Sequence, residues 1–269
     1  MNKSIRDQTF EDRGYYDLHE HIERLRNSGL LFTVDRQINK DTEMHPLVRW
    51  QYRGGVEEED RKAWLFRDVS DSKGRKYDIP VLVGGLAANR AVYQLGMGCE
   101  LNAIKETWIK ALNNPVPPNE VGFDEAPCHD LVYTDEQLLN GFGVDQIPVP
   151  ISSPGWDNAP YFAASHFITK DPHTGIQNMG NYRAMVKAPN RVGFNPSIEL
   201  RTGGYMHWEE WRRLGKAMPC CIVVGAPPIV SFTAVQKVPE KYDEFEISGG
   251  LCGKPLNVVK AKTVDLLVP

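Results

Sequence analysis

Hydrophobic residues recur with a helical period near the start of the chain. Leu18, Ile22 and Leu25 are spaced so that they would form one apolar face of a helix. Asp17 in front of them is a residue type that caps helices, and Gly29 behind them is a typical stop signal. The pattern therefore predicts a helix between Asp17 and Gly29.

Further helical patterns alternate with short apolar runs up to a break that is rich in proline and asparagine. Helices are predicted at residues 44–52, 87–95 and 101–112, and strands at 30–34, 63–69 and 79–83. Alternating helices and strands are typical of α/β folds. We therefore predict an N-terminal α/β domain at residues 1–118, which ends within the break at 113–119.

Beyond the break the pattern changes to short β runs separated by turn residues. Strands are predicted at residues 131–133, 161–169, 176–186, 198–200, 220–224 and 256–268, and one helix at 208–217. This texture predicts a second, mostly β domain at residues 119–269, of the barrel or sandwich type. The chain as a whole is expected to belong to the mixed α/β (α+β) class.

Composition and charge exclude several classes of partner. The 269 residues are 41% hydrophobic and 25% charged, and the formal net charge of −4 provides no basic surface for nucleic acid. No apolar run approaches the roughly 18 residues of a membrane span. The five cysteines show no Cys-x-x-Cys spacing, and we interpret them as reduced residues. We expect a cytoplasmic protein that binds neither nucleic acid nor membrane.

The segment Asn178-Met-Gly-Asn-Tyr-Arg183 is the strongest candidate for chemistry. A turn at 171–175 lies between two β runs and predicts a hairpin, which places the segment on the returning strand. Strict alternation would send Asn178, Gly180 and Tyr182 to one face. Gly180 would also let a ligand approach the backbone closely. By pattern alone, an edge strand with a turn-facing asparagine and a surface arginine is the more frequent structure.

This segment resembles the Asn-x-Gly-x-Tyr-Arg signature of the UbiD family, which comprises decarboxylases and carboxylases that depend on prenylated flavin mononucleotide (prenylated FMN). Flanking segments extend the resemblance over nearly the whole chain, and they are Asp157-Asn-Ala-Pro-Tyr161, Lys170-Asp-Pro-His-Thr-Gly175, Val223-Val-Gly-Ala-Pro-Pro228 and Ser248-Gly-Gly-Leu251. The resemblance implies that the second domain is a flavin-binding, split-barrel-like domain. It also implies a further C-terminal domain that is absent from this chain.

The resemblance implies roles for individual residues. Asn178 and Glu244 would bind a divalent metal, Mn²⁺ or Mg²⁺, that bridges to the flavin phosphate, with K⁺ as a further ion; Asp243 is an alternative to Glu244. Arg183 would act beside substrate and cofactor as the catalytic arginine. Contacts to the flavin are implied for two segments, namely Met179, Gly180, Asn181, Tyr182 and Arg183, and Ala234, Val235, Gln236 and Lys237.

The chemistry of these residue types agrees with the implied roles. Amide and carboxylate oxygens are ligands that Mg²⁺ and Mn²⁺ prefer. The guanidinium of an arginine is a natural partner for a planar carboxylate substrate. Without the resemblance, residues 240–246 would be interpreted as a solvated acidic loop, and Arg183 as a member of a surface ion pair.

The third metal ligand implied by the resemblance is a histidine, and the sequence departs from the family there. Counting from Asn178 places Arg201 at that position, and an arginine would weaken metal binding or contact the phosphate directly. His207 is a nearby histidine and is kept as a candidate ligand. A histidine beside a helix start also fits a helix cap or a packed side chain.

The paired catalytic glutamates of such enzymes would, by resemblance, lie beyond Pro269, and the sequence offers no good general acid of its own. The final run, 264–269, has the pattern of a strand that leads into further structure. We therefore expect either a fragment or a short subunit that acts with a second polypeptide carrying the glutamates.

The resulting hypothesis is a reversible, non-oxidative decarboxylase or carboxylase of an aromatic or α,β-unsaturated carboxylic acid. The cofactor would carry the difficult chemistry, and a flavin prenyltransferase would supply it. Homo-oligomers are usual in the family. Two alternatives stay open: a non-catalytic cofactor-binding or scaffolding subunit of a multi-chain carboxylase, and a flavin reductase, for which the sequence shows no nicotinamide site.

Overall fold

The computed structural model describes residues 17–239 and 242–269. Seven α-helices lie in these residues: α1 (Leu18–Asn27), α2 (Met44–Arg53), α3 (Arg90–Met97), α4 (Ile104–Asn113), α5 (Gly203–Arg213), α6 (Pro228–Ala234) and α7 (Glu244–Cys252). No helix in these two ranges is long and apolar enough to cross a membrane.

Short strands lie between the helices in both parts of the described chain. They are β1 (Leu31–Val34), β2 (Ile38–Asn39), β3 (Ala63–Phe66), β4 (Val69–Ser70), β5 (Lys76–Tyr77), β6 (Val81–Val83), β7 (Asn119–Glu120), β8 (Tyr161–Phe162), β9 (Ser165–Lys170), β10 (Gln177–Asn181), β11 (Ala184–Ala188), β12 (Arg191–Val192), β13 (Cys220–Val224), β14 (Asn257–Lys260) and β15 (Leu267–Val268). This mixture confirms the predicted α/β class.

The first part of the chain follows its sequence pattern closely. The Asp17 carboxylate caps α1 by accepting a hydrogen bond from the Glu20 N–H at 2.9 Å, and Gly29 ends the helical region with a φ of 71°. The predicted helix at 87–95 begins later, at Arg90, because the Asn89 side chain caps it. β1 pairs with β3 in parallel, and β3 pairs with β6 in antiparallel orientation.

The second part contains more helix than its pattern predicts. The strands predicted at 131–133 and 198–200 are wrong, because both segments are irregular or turns and expose leucines. The helix predicted at 208–217 is α5, which begins earlier, at Gly203. The sequence pattern does not predict α6 and α7 at all. Both helices are buried on almost every side, so they lack the one-sided apolar period that identifies a surface helix.

The strands of the second part form three separate sheets rather than a barrel. Their orders are β10-β9-β13, β12-β11-β8 and β15-β14-β7, and no closed barrel exists among the described residues. The expectation of a mostly β, barrel or sandwich domain is therefore corrected. Helices α5, α6 and α7 pack against strand β10 of the β10-β9-β13 sheet.

Residues on both sides of the break at 113–119 share one hydrophobic core. Helices α3 and α4 pack against α6 and α7, and the cluster between them contains Met97, Ala111, Ile229, Phe232, Ile247 and Leu251. Strand β7, which begins at the last residue of the break, pairs in parallel with β14. The division into domains at 1–118 and 119–269 stays a prediction.

Two glycines let α7 pack closely against α4 and the segment after it. A Cβ on Gly249 would lie 2.5 Å from the carbonyl oxygen of Val116, and a Cβ on Gly250 would lie 3.0 Å from the Ala111 backbone. The Val116 N–H donates to the Glu246 carbonyl at 2.9 Å, which holds this backbone in place. The close approach therefore leaves no room for a side chain.

We expect the replacement Gly249→Ala to destabilise the protein by about 1–3 kcal/mol, because overpacking costs more than the gain in helix propensity of about 1 kcal/mol. Urea unfolding measures the difference. The matched control is Glu246→Ala on the same helix, for which we expect a change below about 1 kcal/mol. A Gly249→Ala protein as stable as the wild type would contradict the close packing.

Candidate functional site

The segment 178–183 leaves one sheet and enters another. Strands β9 and β10 pair in antiparallel orientation around the turn at 171–175, with Asn178 opposite Thr169, which confirms the predicted hairpin. β10 ends before Tyr182, and β11, in a different sheet, begins after Arg183. The two residues of the crossover therefore lie between the sheets.

The side chains of Asn178 and Tyr182 lie under the start of α5. The Tyr182 hydroxyl accepts a hydrogen bond from the Gly204 N–H at 2.9 Å, and Asn178 Nδ2 donates to the same oxygen at 3.5 Å. A Cβ on Gly203 would overlap Asn178 Oδ1. Asn178 and Tyr182 thus share one face of the hairpin, as the alternation predicts, and α5 covers that face.

The space beside Gly180 is filled by the same tyrosine. A Cβ on Gly180 would overlap the hydroxyl and ring of Tyr182. The buried tyrosine side chain, rather than a ligand, therefore requires a glycine at this position. A close approach of the flavin to the backbone of Gly180 stays a prediction.

Glu244 contacts the outer edge of β10. It is the first residue of α7, and its Oε2 accepts a hydrogen bond from the Met179 N–H at 3.0 Å. Burial raises the pKa of the Glu244 carboxyl to about 8, the Met179 N–H lowers it in part, and the neighbouring Asp243 raises it. Glu244 forms no ion pair with any residue in 17–239 or 242–269. The structure thus brings the predicted glutamate to the residue directly after Asn178.

Asp243, the alternative to Glu244, serves the helix instead. Its side chain caps α7 by accepting a hydrogen bond from the Phe245 N–H at 2.8 Å. Burial raises the pKa of this carboxyl to about 6, and the Phe245 N–H opposes the shift. Of the two neighbouring carboxylates, Glu244 is the one that contacts the motif strand, which is β10.

His207 lies inside α5, not at its start, so it does not cap the helix. Its Nδ1 is 2.9 Å from Thr169 Oγ1, on the strand residue opposite Asn178, and burial lowers its pKa. The histidine therefore packs on the face of the hairpin that holds Asn178. Arg201 is exposed two residues before α5, with a left-handed φ of 44°.

The second predicted flavin segment, 234–237, begins beside the motif strand. Ala234 is the last residue of α6 and packs in one hydrophobic cluster with Met179 and Phe245, whereas the next three residues are exposed. Asn181 and Arg183 are also exposed, and Asn181 donates to a neighbouring carbonyl through its amide. The two predicted segments therefore meet at Met179 and Ala234.

Several residues of this region are not identified by the sequence. Thr169 and the pair Gly203 and Gly204 contact predicted site residues, but a single threonine and two glycines at a helix start carry no specific signal. His166 Nε2 lies 2.9 Å from Ser231 Oγ in the core, and burial lowers the pKa of this histidine to about 4. It joins β9 to α6 as a packed, uncharged side chain.

A family model for the UbiD 3-octaprenyl-4-hydroxybenzoate carboxy-lyase Rift-related domain matches residues 119–269. The match covers more than half of the chain, so the chain belongs to the UbiD family. This confirms the resemblance to the UbiD family and defines the class of protein to which the fold belongs.

Solved structures of UbiD-class enzymes align with almost the whole chain. HmfF from Pelotomaculum thermopropionicum in complex with FMN aligns with a TM-score of 0.80 and 26% identity over 94% of this chain and 52% of that chain. An evolved dimeric form of HmfF in complex with prFMN (prenylated FMN) aligns with a TM-score of 0.82 and 25% identity over 95% of this chain and 55% of that chain. The closed form of vanillic acid decarboxylase from Sedimentibacter hydroxybenzoicus aligns with a TM-score of 0.80 and 26% identity over 95% of this chain and 52% of that chain. This chain therefore spans about half the length of these structures.

The donor types near β10 fit a divalent cation. An amide oxygen from Asn178, the Glu244 carboxylate and the His207 imidazole are ligands that suit Mn²⁺, and the first two also suit Mg²⁺. A buried carboxylate without an ion pair is costly, and a cation beside Glu244 would offset that cost. In the described ranges, no group of three or more His, Cys, Asp or Glu side chains could hold a metal.

We expect the contribution of Glu244 to the stability of the metal-free chain to be lost as the pH rises from about 4.5 to about 8. Glu244 has a pKa of about 8 in the folded protein and roughly 4.3 when unfolded, so folding takes up a proton between these values. The stabilisation is complete below the unfolded pKa and is lost as the pH approaches the folded one. Urea unfolding in EDTA across this range measures the slope.

The variant Glu244→Gln is isosteric with the protonated carboxyl, keeps an acceptor for the Met179 N–H, and should lack the loss of stability that Glu244 causes as the pH rises. The gain over the wild type at pH 8.5 should be on the order of a few kcal/mol. Glu120→Gln, at an exposed position, is the control and should keep the wild-type slope. Identical slopes for wild type and Glu244→Gln would show that Glu244 does not titrate in this window.

Proposed function

We propose that this chain is the cofactor-binding part of a UbiD-type enzyme that reversibly decarboxylates an aromatic or α,β-unsaturated carboxylic acid with prenylated FMN. The observation that supports this most directly is the contact of Glu244 with the motif strand, next to Asn178. Family membership and the similarity to HmfF in complex with FMN and prFMN agree with it.

The proposed site consists of metal ligands and two segments that contact the flavin. Asn178 and Glu244, with His207 as a further candidate, would hold a divalent ion, which would offset the negative charge of the flavin phosphate. Met179 to Arg183 and Ala234 to Lys237 contact the flavin on both sides of the point where Met179 and Ala234 pack together. When bound, the prenylated flavin would supply the electron sink for the loss of CO₂.

Arg183 is the proposed contact for the substrate carboxylate. Its side chain is exposed and forms no hydrogen bond or ion pair with any other described residue, so its guanidinium fork is free to bind a planar carboxylate. Two parallel N–H···O bonds would fix the orientation of the carboxyl group of the acid.

We further propose that a second polypeptide supplies the acid that protonates the product carbon. Asp243 and Glu244 are engaged at the start of α7, which leaves the exposed Arg183 without a carboxyl partner in the described residues. The similar vanillic acid decarboxylase structures include a second component, ShVdcD. A flavin prenyltransferase as cofactor supplier, assembly into homo-oligomers and a cytoplasmic location complete the proposal.

We expect the chain to bind FMN in a manner that depends on Mn²⁺, and we expect Asn178→Ala to weaken this binding by about tenfold or more, since a lost ligand removes ion and phosphate contacts together. Quenching of FMN fluorescence, measured with Mn²⁺ and with EDTA, gives the dissociation constants. The control is Asn190→Ala in an exposed turn, which should bind like wild type. Equal affinity of Asn178→Ala and wild type would exclude Asn178 as a metal ligand.

We expect CO₂ release from aromatic or cinnamic-type acids when the chain is loaded with prenylated FMN and Mn²⁺ and combined with its second polypeptide. Arg183→Lys should lower kcat/KM by about tenfold or more, because an ammonium cannot form the bidentate pair. The exposed Arg191→Lys is the matched control. Flavin binding without turnover in every mixture would favour the scaffolding subunit, and oxidation of NADH without CO₂ release would favour a flavin reductase.

A further inference from the structure

We propose that Tyr182 is a positioning residue that sets which end of the Asn178 carboxamide faces the metal site. The inference rests on the proposed function, because it concerns the same metal ligand. An asparagine side chain has an oxygen at one end and an NH₂ group at the other, and only the oxygen binds a cation. The orientation of the amide therefore decides whether Asn178 can act as a ligand.

The Tyr182 hydroxyl is held in one place by the backbone of α5. It accepts a hydrogen bond from the buried Gly204 N–H at 2.9 Å, and Asn178 Nδ2 lies 3.5 Å from the same oxygen as a donor. The hydroxyl thus binds the NH₂ end of the carboxamide. The opposite end, Oδ1, is directed to Gly203 at the start of the helix and accepts no hydrogen bond from the residues that the structure describes, which would leave its lone pairs for a cation.

Three glycines make room for this arrangement. A Cβ on Gly180 would overlap the Tyr182 hydroxyl, one on Gly204 would lie 2.7 Å from the tyrosine ring, and one on Gly203 would overlap Asn178 Oδ1. Each of these side chains would displace either the tyrosine or the carboxamide. The two elements that meet here, β10 and the start of α5, therefore lack side chains at all three points of contact.

The tyrosine ring is fixed from its other side by aromatic packing. Tyr182 is only 8% exposed, its ring meets Phe194 edge-on at 5.4 Å, and Phe167 lies at 5.8 Å. A ring packed in this way cannot swing away, so the hydroxyl stays beside the carboxamide. Partners of this kind, which orient a metal ligand without touching the metal, commonly tune metal affinity.

The test compares Tyr182→Phe with Phe194→Leu in the full chain. Tyr182→Phe keeps the ring and removes the hydroxyl, so the carboxamide of Asn178 is free to turn its NH₂ end to the metal. We expect the affinities for Mn²⁺ and for FMN with Mn²⁺ to fall by about three- to tenfold. Phe194→Leu loosens the same aromatic packing but keeps the hydroxyl, so it should lower the urea midpoint and leave both affinities within about twofold.

A second measurement reports on the carboxamide without any ligand. The side-chain NH₂ signals of Asn178, assigned in ¹⁵N spectra by their loss in Asn178→Asp, should move towards the values of a solvated amide in Tyr182→Phe and stay in place in Phe194→Leu. Unchanged signals in Tyr182→Phe, or affinity losses that follow lost stability in both variants, would overturn the proposal.

The two levels of inference fail in different ways. A wild-type chain that binds neither Mn²⁺ nor FMN would overturn the proposed function, and with it the role of Tyr182 in metal binding. A wild-type chain that binds both, beside a Tyr182→Phe variant that binds them equally well, would overturn only the positioning role.

Discussion

The hydrogen bond from the Met179 N–H to the Glu244 carboxylate is the contact on which the candidate site depends. It joins the outer edge of β10 to the first residue of α7, a helix that itself packs against α4 and α6. An edge strand has unpaired backbone groups, and here a side chain satisfies one of them. The motif strand is therefore attached to the main helical core at the point where the metal ligands are proposed.

The two faces of the β9–β10 hairpin pack against different helices. On one face, α5 covers Asn178 and Tyr182 with backbone and glycine. On the other, α6 and α7 pack around Met179 and lead to the exposed segment after Ala234. Both faces are set by rigid elements of secondary structure, which position ligands more accurately than loops do.

Burial of Glu244 is unfavourable for the protein alone and useful for a cation-binding site. Desolvation raises the pKa of this carboxyl to about 8, so near neutral pH the folded chain holds a proton that a bound cation would displace. Asp243 and Glu246 beside it add negative charge to the same end of the helix. The burial of Glu244 therefore destabilises the protein at a position where a bound cation would offset the loss.

The sequence by itself determined the elements whose signals are local: the capped helix behind Asp17, the turn at 171–175 and the identity of the 178–183 motif. Only the tertiary structure decided that Glu244 reaches Met179, 65 residues away, and that a tyrosine fills the space beside Gly180. It also decided that α6 and α7 are helices. The physical reason is that periodicity arises from burial on one side, whereas contacts between distant segments leave no period in the sequence.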